Sequence, residues 1–460
     1  MKHMTFRERR YRRVHLACVR HITLDPKGPG VVRIHMIPPR DETPAAPFLL
    51  LLNGAQLVPL NLSWAIMLAN LMDQWQAHER QELEEDQWEA LLSAAVEETH
   101  RTYPRTKKQL LANDMHLMLT SLMAIAQGRE PEAEIGMLSL GEYACEMTAP
   151  HRMDLMVSAM EKDGAWHCNQ KCLHCYAAGQ PMGEAPELST EQWKSILDTL
   201  RRANIPQVTF TGGEPTMRED LAELVAAAAA WFVTRLNTNG RRLTPQLCAA
   251  LYQASLDSVQ VTLYSAEGNI HNQLVGCGGF SDTVQGIRNA VAAGLIVSVN
   301  TPLCSLNTHY AETLRFVHSL GVRYVTCSGL IPSGSACGAE SRATALTTGE
   351  LADILRDAAE TAEELGMELD FTSPGWLDEE TLRSMGLHLI PSCGACLSNM
   401  AVTPDGKVVP CQSWLSDEPL GDLLCDKWTD IWNDPRCAAI RAESARMDHI
   451  CQLKGKGAAQ

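Results

Sequence analysis

An alternation of short apolar runs with amphipathic segments occupies residues 153–372, and it constrains the fold more than any other feature of the sequence. The apolar runs have the length of buried strands, and the segments between them repeat apolar residues with helical spacing. This order predicts a sheet of parallel strands joined by helices. Six such units predict a partial or full barrel with its active site at the carboxyl ends of the strands. The predicted strands are residues 153–158, 207–211, 231–237, 258–264, 296–302 and 324–328.

A further helical pattern at 347–365 and an extended run at 367–372 close this section. Residues 1–150 show no such alternation, because short extended runs come first and helical patterns follow, which predicts an α+β module. Residues 390–460 are rich in cysteine and in loop-forming residues. We therefore predict an α/β protein built around a partial (β/α)6 TIM-like barrel. The predicted domains are residues 1–150, 151–375 and 376–460.

Charge and hydropathy exclude several classes of protein. The chain has 39 basic and 55 acidic side chains, a net charge of −16, which argues against a nucleic-acid binder that neutralises phosphates. No apolar run reaches the roughly 18 residues that a membrane helix needs. The charged first residues are followed by no apolar segment of a signal peptide, so we expect a cytoplasmic protein. The basic arm at residues 2–13 is expected to be a solvated, mobile end, with partner binding as the alternative.

Sixteen cysteines in a large chain of this kind indicate thiols that are kept reduced for metal binding or catalysis. Cys168, Cys172 and Cys175 lie within eight residues, in the loop that follows the first predicted barrel strand. Three thiolates at this spacing can hold one small inorganic cluster and leave a fourth iron without a protein ligand. A zinc site with help from His167 or His174 is the alternative, although structural zinc prefers four ligands in two separated pairs.

A second motif, Gly212, Gly213 and Glu214, directly follows the second predicted strand. Two adjacent glycines let the backbone approach a ligand closely, and a carboxylate at a strand end can accept hydrogen bonds from an ammonium group. Gly-Gly alone marks many ordinary turns. Its position beside a three-cysteine loop, at the carboxyl edge of the sheet, indicates a ligand site.

Together the two motifs resemble those of the radical S-adenosylmethionine superfamily, in which a C-x3-C-x-aromatic-C loop precedes Gly-Gly-Glu at the second strand. Here His174 stands where an aromatic ring is usual. Further matches are Asn237 on the third strand, Thr262 on the fourth strand and Ser265 near its end. The resemblance covers residues 153–330.

This resemblance implies a [4Fe-4S] cluster on Cys168, Cys172 and Cys175, with S-adenosylmethionine bound to its open iron. Reduction by a donor such as flavodoxin or ferredoxin would cleave the cofactor to a 5'-deoxyadenosyl radical, which abstracts hydrogen from the substrate. Glu214 would hold the amino group of the cofactor, and Thr262 or Ser265 would reach its ribose or carboxylate. The full set of cofactor-binding residues that it implies is His174, Tyr176, Gly212, Gly213, Glu214, Asn237, Thr262 and Ser265.

A third motif places Cys393 and Cys396 before a predicted hairpin at residues 401–409 and Cys411 just after it. The hairpin would return Cys411 towards the first pair, and a zinc site with four cysteine ligands is one interpretation. The region also resembles the SPASM/twitch extension of radical S-adenosylmethionine enzymes. That resemblance implies one auxiliary iron–sulfur cluster, expected to be [4Fe-4S]. The candidates for its fourth ligand are Cys425, Cys437 and Cys451, of which the resemblance favours Cys451.

The remaining cysteines show no spacing that is typical of metal ligands. Cys277 and Cys337 lie in Gly-rich or Ser-rich loops, where a catalytic thiol is the alternative to packing. Packing in the core is the general expectation for the set, because free cysteine is among the most buried residue types. The set comprises Cys18, Cys145, Cys248, Cys277, Cys304, Cys327 and Cys337.

In the order of their strands and helices, residues 1–150 resemble the winged-helix peptide-recognition domain of many ribosomal-peptide maturases. Such a domain binds a leader peptide by adding it as a strand to a sheet edge. The leading hypothesis is a radical enzyme that forms a thioether or carbon–carbon crosslink, or an epimer, in a precursor peptide. The alternatives are a sulfatase-maturase-like enzyme, a small-molecule dehydrogenase, and a non-catalytic metal-binding interaction protein.

Overall fold

The computed structural model describes residues 4–24, 32–39, 46–52, 56–76, 84–127, 129–144, 147–387, 389–446 and 450–457. Cys145 and the first residues of the basic arm lie outside this set. The chain forms two compact units, which are Met1–Ala149 with Arg201–Pro206, and Pro150–Leu200 with Gln207–Gln460. The predicted boundary between residues 375 and 376 falls inside the second unit and stays a prediction.

The first unit combines a small sheet with a helical layer. Its described strands are β1 Arg20–Leu24, β2 Val32–Ile37, β3 Phe48–Leu52 and β4 Gln56–Leu60. Its described helices are α1 Phe6–His15, α2 Leu62–Gln76, α3 Glu85–Thr102, α4 Lys108–Ala126 and α5 Leu140–Tyr143. The strands pair antiparallel in the order β1-β2-β3-β4. Phe48, Leu50 and Leu52 of β3 share one core with α2, α3 and α4, while Leu49 and Leu51 pack into a second cluster, so β3 is buried along its whole length.

The basic segment at the start of the chain forms a helix, and here the structure differs from the mobile end that the sequence predicts. Thr5 and Glu8 form a capping box at the start of α1. The Tyr11 hydroxyl donates a hydrogen bond to the Asn70 side chain, and the Tyr103 hydroxyl donates one to Glu8. Charge density alone suggested a solvated chain, whereas these contacts with residues distant in sequence hold the helix in place.

The second unit is organised around one large sheet. Its described strands are β5 Arg152–Ser158, β6 Glu161–Lys162, β7 Ala165–Trp166, β8 Gln207–Gly212, β9 Val233–Thr238, β10 Ser258–Thr262, β11 Ile296–Pro302, β12 Tyr324–Ser328, β13 Glu368–Phe371, β14 Asn399–Val402, β15 Lys407–Val409 and β16 Gly421–Asp422. The strand order is β13-β12-β11-β10-β9-β8-β5-β14-β15-β16, and β6 and β7 form a separate hairpin. All neighbours from β13 to β14 are parallel, while β15 and β16 are added antiparallel.

Helices connect the parallel strands of this sheet. The described helices of the unit are α6 Thr190–Arg202, α7 Leu221–Ala229, α8 Pro245–Gln253, α9 Gly268–Val275, α10 Phe280–Ala292, α11 Tyr310–Ser319, α12 Ala339–Arg342, α13 Thr348–Leu365, α14 Glu379–Ser384, α15 Trp428–Trp432, α16 Pro435–Ala445 and α17 Gln452–Gly457. In the described part of the chain, no helix is both long and apolar enough to cross a membrane. Because helices connect the parallel strands, all carboxyl ends of these strands lie at one edge of the sheet.

The α/β architecture with a partial barrel is confirmed, and β11 and β12 have the bounds that the sequence predicts. Two pairings were not predicted. The run that closes the alternating section becomes β13, which pairs with β12 as a seventh parallel strand. A strand of the cysteine-rich region, β14, pairs in parallel with β5. Neither pairing leaves a local pattern, because strands that pair in parallel lie far apart in sequence.

Candidate functional site

The loop with the first three cysteines follows β7 and is held by backbone hydrogen bonds from both sides. The N–H groups of Lys171 and Leu173 donate to the carbonyls of Val275 and Leu274, each at 2.9 Å. The carbonyl of Cys175 accepts from the N–H of the more distant Ser335 at 2.9 Å. Contacts of this kind fix the path of the loop, and α9, which was not predicted, provides one of the two supports.

The three thiols lie close enough to influence one another. Burial, and then the negative charges of Glu214 and Cys175, raise the pKa of Cys168 to about 12. Burial followed by the charges of Cys175 and Cys168 raises the pKa of Cys172 well above its usual range. Three buried thiolates are therefore unstable without a compensating positive charge, which iron ions would provide. The donor set thus fits the cluster that the sequence predicts.

The thiol of Cys168 also lies 3.4 Å from the carbonyl oxygen of Gly213, so the first and second motifs meet. Gly212 has a φ of +132°, and a Cβ atom there would lie 2.1 Å from the carbonyl oxygen of Ser158. A Cβ atom on Gly213 would lie 2.4 Å from the carbonyl oxygen of Ala159. In this structure the paired glycines permit the end of β8 to approach the end of β5. Their predicted role towards the cofactor stays a prediction.

Glu214 is buried, with 1% of its surface exposed, and its carboxylate already has several donors. One oxygen accepts from the N–H and hydroxyl of Thr216 and from the hydroxyl of Thr238, at 3.0, 2.5 and 2.6 Å. The other accepts from the N–H of Asn239 at 2.8 Å. The side chain therefore ties the end of β8 to the end of β9, and its second oxygen keeps capacity for a further donor. Thr216 was not predicted, whereas Thr238 and Asn239 belong to the segment Asn237-Thr238-Asn239-Gly240 that matches the superfamily, although no role was assigned to them.

His174 stands in the motif position that is usually aromatic, and it is buried against Tyr264, with ring centroids 6.0 Å apart. Its Nε2 lies 2.9 Å from the hydroxyl oxygen of Thr344, which donates its own proton to the carbonyl of Ser341. Nε2 must therefore carry the imidazole proton, and burial, which lowers the pKa of His174 to about 4, keeps the ring neutral. Nδ1 is left as a buried acceptor without a partner among the described residues.

The other predicted cofactor-binding residues have different environments. The side-chain oxygen of Asn237 is buried and has no hydrogen-bond partner in the described part of the chain, as expected for a group that awaits a ligand. Ser265 is buried, and its hydroxyl accepts from the N–H of Glu267 at 3.0 Å. Thr262 is partly exposed at the carboxyl end of β10. The structure thus brings all three towards the carboxyl edge of the sheet.

Tyr176 connects the first cysteine loop with the C-terminal cysteine region. Its hydroxyl lies 3.5 Å from the side-chain oxygen of Gln412, which follows Cys411 directly. Burial raises the pKa of Tyr176, and the charges of Cys175 and Cys411 raise it further, so both thiols act electrostatically on its hydroxyl. The two predicted cluster sites are therefore neighbours within one unit.

Cysteines of the C-terminal region form a second group around Cys411. The N–H of Cys396 donates to the carbonyl of Pro410 at 3.1 Å, which joins the two cysteine segments as the predicted hairpin requires. Burial raises the pKa of Cys411 to about 12, and the charges of Cys451 and Cys393 contribute. Cys393, Cys411 and Cys451 also share a small apolar cluster with Trp414 and other residues.

Cys437, another candidate ligand, lies beside Cys396 instead. The two thiols share a hydrogen bond, which lowers the pKa of Cys437 and raises that of Cys396. The guanidinium of Arg441 lies 3.6 Å from the Cys437 sulfur. Cys425 is exposed on the surface. Across the described residues, no three His, Cys, Asp or Glu side chains are grouped tightly enough to hold a single metal ion.

Arg241 is a residue of this region that sequence reasoning missed. Its guanidinium donates to the carbonyl of Asn169 in the cysteine loop at 2.5 Å and lies 3.6 Å from the sulfur of Cys277. A salt bridge of 3.1 Å to Asp282 fixes its other side. Cys277 thus lies beside the cluster loop, whereas Cys248, Cys304 and Cys327 are buried, as predicted for packing residues. A basic residue just after β9 was the available signal for Arg241.

Two family models match the two cysteine regions. Residues 167–317 match the radical SAM superfamily, and residues 393–453 match SPASM, an iron-sulfur cluster-binding domain. The second match favours iron over the zinc alternative for the C-terminal cysteines. The matching domains bind a [4Fe-4S] cluster with S-adenosylmethionine and auxiliary iron–sulfur clusters, respectively.

Similar proteins agree with these matches. Mycofactocin maturase MftC of Mycobacterium tuberculosis (strain CDC 1551 / Oshkosh) is 29% identical over 286 residues, which are 58% of this chain and 68% of the relative. PqqA peptide cyclase of Ruegeria pomeroyi is 27% identical over 306 residues, 63% of this chain and 75% of that protein. The crystal structure of Streptococcus suis SuiB bound to S-adenosylmethionine shares the fold, with a TM-score of 0.58 at 13% identity, covering 86% of this chain and 87% of SuiB. The chain therefore contains a radical S-adenosylmethionine domain at residues 167–317 and a C-terminal SPASM domain at residues 393–453.

Proposed function

We propose that this enzyme is a maturase that forms a thioether or carbon–carbon crosslink, or an epimer, in a precursor peptide. The observation that carries the proposal is the convergence of three buried thiols with Gly213 and Glu214 at the carboxyl edge of the sheet. When bound, the [4Fe-4S] cluster and S-adenosylmethionine supply a radical that removes a hydrogen atom from a C–H bond. The similarity to a protein named as a peptide cyclase supports a peptide as the substrate.

The residues of the chain would hold and orient the reactants. Cys168, Cys172 and Cys175 ligate the first cluster from a loop that α9 keeps in place. Asn237 and His174 offer buried acceptors without partners among the described residues, which suits donors of a polar cofactor. Glu214 would accept a further hydrogen bond, from the amino group of the cofactor. Tyr176, Gly212, Gly213, Thr262 and Ser265 complete the proposed cofactor site.

For the auxiliary cluster we propose Cys393, Cys396, Cys411 and Cys451 as ligands. A shared apolar cluster and mutual effects on pKa support Cys393, Cys411 and Cys451, and the hydrogen bond from the N–H of Cys396 to the carbonyl of Pro410 supports Cys396. The proposed domains are a radical core at 151–375 and an auxiliary-cluster domain at 376–460. Tyr176 would hold the two proposed cluster sites as neighbours, and the proposed electron donor is a protein such as flavodoxin or ferredoxin.

Residues 1–150 would recognise the leader part of the precursor peptide. Strand β1 is one edge of the four-stranded sheet. At the opposite edge, Leu57 of β4 already accepts a hydrogen bond from the N–H of Leu138 at 2.9 Å. An extended peptide that pairs with an edge strand gains main-chain hydrogen bonds, and this remote binding raises the efficiency of the reaction.

Replacing Cys168, Cys172 and Cys175 together by alanine tests the proposal. We expect loss of reductive cleavage of S-adenosylmethionine, measured as 5'-deoxyadenosine, and loss of the mass change in a precursor peptide encoded beside the gene. Cys248→Ala is the control, because Cys248 is buried in α8 away from the motifs. Unchanged cleavage in the triple variant would refute the cluster assignment. A wild-type enzyme that cleaves the cofactor without changing any precursor peptide would refute the peptide as substrate.

A further inference from the structure

The strands of the partial barrel have one apolar face and one polar face. On β10, Val259 and Val261 are fully buried, while Ser258, Gln260 and Thr262 alternate with them. The same alternation continues on the neighbouring strands, where the register keeps partners on one face. The polar residues that the register places on this face include Asp154, Thr209, Arg235, Asn237, Ser258, Gln260, Thr262, Ser298, Asn300, Thr326 and Asp370. A barrel that is filled by its own side chains carries bulky apolar residues at these positions, so this interior is built for polar contents.

Several of these interior groups are unsatisfied. The hydroxyls of Thr209, Ser258 and Ser298 belong to residues that are 2%, 5% and 9% exposed. They have no hydrogen-bond partner among the described residues, and the same holds for the side-chain oxygen of Asn237. Buried polar groups are nearly always paired in folded proteins. Four orphaned oxygens on the same face therefore indicate that a polar ligand or water occupies the interior.

Asp370 is an acidic residue on this face, and unlike Asp154, which forms a salt bridge with Arg152, it lies on the edge strand. It belongs to β13, the edge strand of the sheet, and pairs in register with Thr326, which pairs with Asn300. It therefore lies at the level of Thr262, at the carboxyl end where the first cysteine loop is also attached.

The carboxylate of Asp370 has no hydrogen bond or salt bridge among the residues that the structure describes. The nearby hydroxyl of Thr326 accepts from Gln260 at 3.2 Å and donates to Asn300 at 2.9 Å, so its proton is directed away from Asp370. Burial is the larger effect on the pKa of Asp370 and raises it, while the positive charge of Arg235 lowers it. Asp370 is half-buried, so its carboxylate is left to water or to a ligand that supplies a donor.

We propose that Asp370 is a substrate-recognition residue, whose carboxylate accepts a hydrogen bond from an N–H group of the peptide segment that enters the polar interior of the barrel. This inference rests on the proposed peptide substrate and extends it, because it names the group that positions the reacting segment. A charged acceptor binds an amide or ammonium N–H more strongly than a neutral acceptor does. Neither the cluster loop nor the contacts of Glu214 require Asp370.

Asp370→Asn in the full-length, iron-reconstituted enzyme tests this role, with Asp370→Glu as the conservative variant. Asp357→Asn is the matched control, because Asp357 is exposed on α13 and undergoes the same loss of charge. We expect Asp370→Asn to raise the KM for the precursor peptide about tenfold or more, the usual effect of losing a charged hydrogen bond. Iron content and 5'-deoxyadenosine formation without peptide should match the wild type. Asp370→Glu should recover part of the lost affinity.

An unchanged peptide KM in Asp370→Asn would overturn the inference. A fall in 5'-deoxyadenosine formation without peptide would also overturn it, because the carboxylate would then contact S-adenosylmethionine. If Asp370→Asn loses iron or unfolds, the test rests on Asp370→Glu. A wild-type peptide KM in Asp370→Glu, with peptide-free cleavage intact, supports the role of an acidic acceptor. Loss of iron in Asp370→Glu as well refutes it. Failure of the proposed function differs from all of these results, because the wild-type enzyme itself would then change no peptide.

Discussion

Two carboxyl groups of the barrel section, one on the buried Glu214 and one on the half-buried Asp370, have opposite environments. Burial raises the pKa of both Glu214 and Asp370, because the charged form loses hydration. For Glu214, hydrogen bonds from Asn239, Thr216 and Thr238 oppose this effect, so the charge is stabilised inside the fold. For Asp370, only the distant charge of Arg235 opposes it. The same residue class therefore serves as a tie between strands at one position and as an open acceptor at the other.

Gly213→Ala should destabilise the enzyme, because the new Cβ atom would lie 2.4 Å from the backbone oxygen of Ala159. We expect a loss of about 1–3 kcal/mol in the free energy of unfolding, as for other overpacked sites. Thermal unfolding measures the effect. Gly278→Ala is the control, because a Cβ atom there meets nothing within 4 Å. Equal midpoints for the two variants would show that the ends of β5 and β8 can separate without cost.

At the scale of single elements, the sequence predicts a strand or helix well where the residues of that segment alone determine its structure. The β-branched runs of β11 and β12 and the capped helices between strands follow from residue spacing. The N-terminal helix α1 is the exception, because its dense positive charge predicted a mobile end although its first residues carry a helix-cap signal. Thr5 followed three residues later by Glu8 is a capping-box pattern that could have revealed it.

Thr5→Ala removes the side-chain cap of α1 and should lower the stability of this helix by about 1 kcal/mol. Hydrogen exchange of the amides in residues 6–10 should then be roughly fivefold faster, since 1 kcal/mol corresponds to a factor of that size. Arg13→Ala serves as the control, because Arg13 is exposed on the same helix. Fast exchange in the wild-type enzyme, unaffected by Thr5→Ala, would support the mobile end that the charge pattern predicts.

On the scale of the whole molecule, the auxiliary cluster would be assembled from segments that only the fold brings together. Cys393 and Cys396 precede the hairpin, Cys411 follows it, and Cys451 lies beyond α16. In the structure the charge of Cys451 contributes to the raised pKa of Cys411. Burial and then the charge of Cys393 raise the pKa of Cys451. By contrast, Cys437 shares a hydrogen bond with Cys396 and lies beside Arg441.

Cys451→Ala should therefore reduce the iron content of the reconstituted enzyme by about four atoms, the content of one cubane. Cys437→Ala is the matched variant and should retain all iron, because Cys437 lies outside the apolar cluster that Cys393, Cys411 and Cys451 share. Iron analysis together with the absorbance of the cluster measures both. Loss of iron in Cys437→Ala but not in Cys451→Ala would reassign the fourth ligand.

Much of the fold and part of the site could be predicted from the sequence. The three-cysteine loop and Gly212-Gly213-Glu214 were evident because each motif is continuous in sequence and follows a predicted strand. The pairing of β14 with β5 and the addition of β13 were not evident, because parallel pairing joins distant segments. The donors to Glu214 and the open carboxylate of Asp370 were hidden for the same reason.

The sequence alone determined the class of chemistry, since three thiols at this spacing beside a Gly-Gly-Glu strand end can be recognised without a fold. It also determined the α/β architecture, because the period of apolar residues sets the type of each element. Only the tertiary structure decided which polar groups are satisfied. Hydrogen bonding depends on atoms brought within about 3 Å of each other by distant segments, and that proximity has no trace in local sequence. The buried acceptors of Asn237 and His174 that lack partners among the described residues, and the half-buried carboxylate of Asp370, became visible only there.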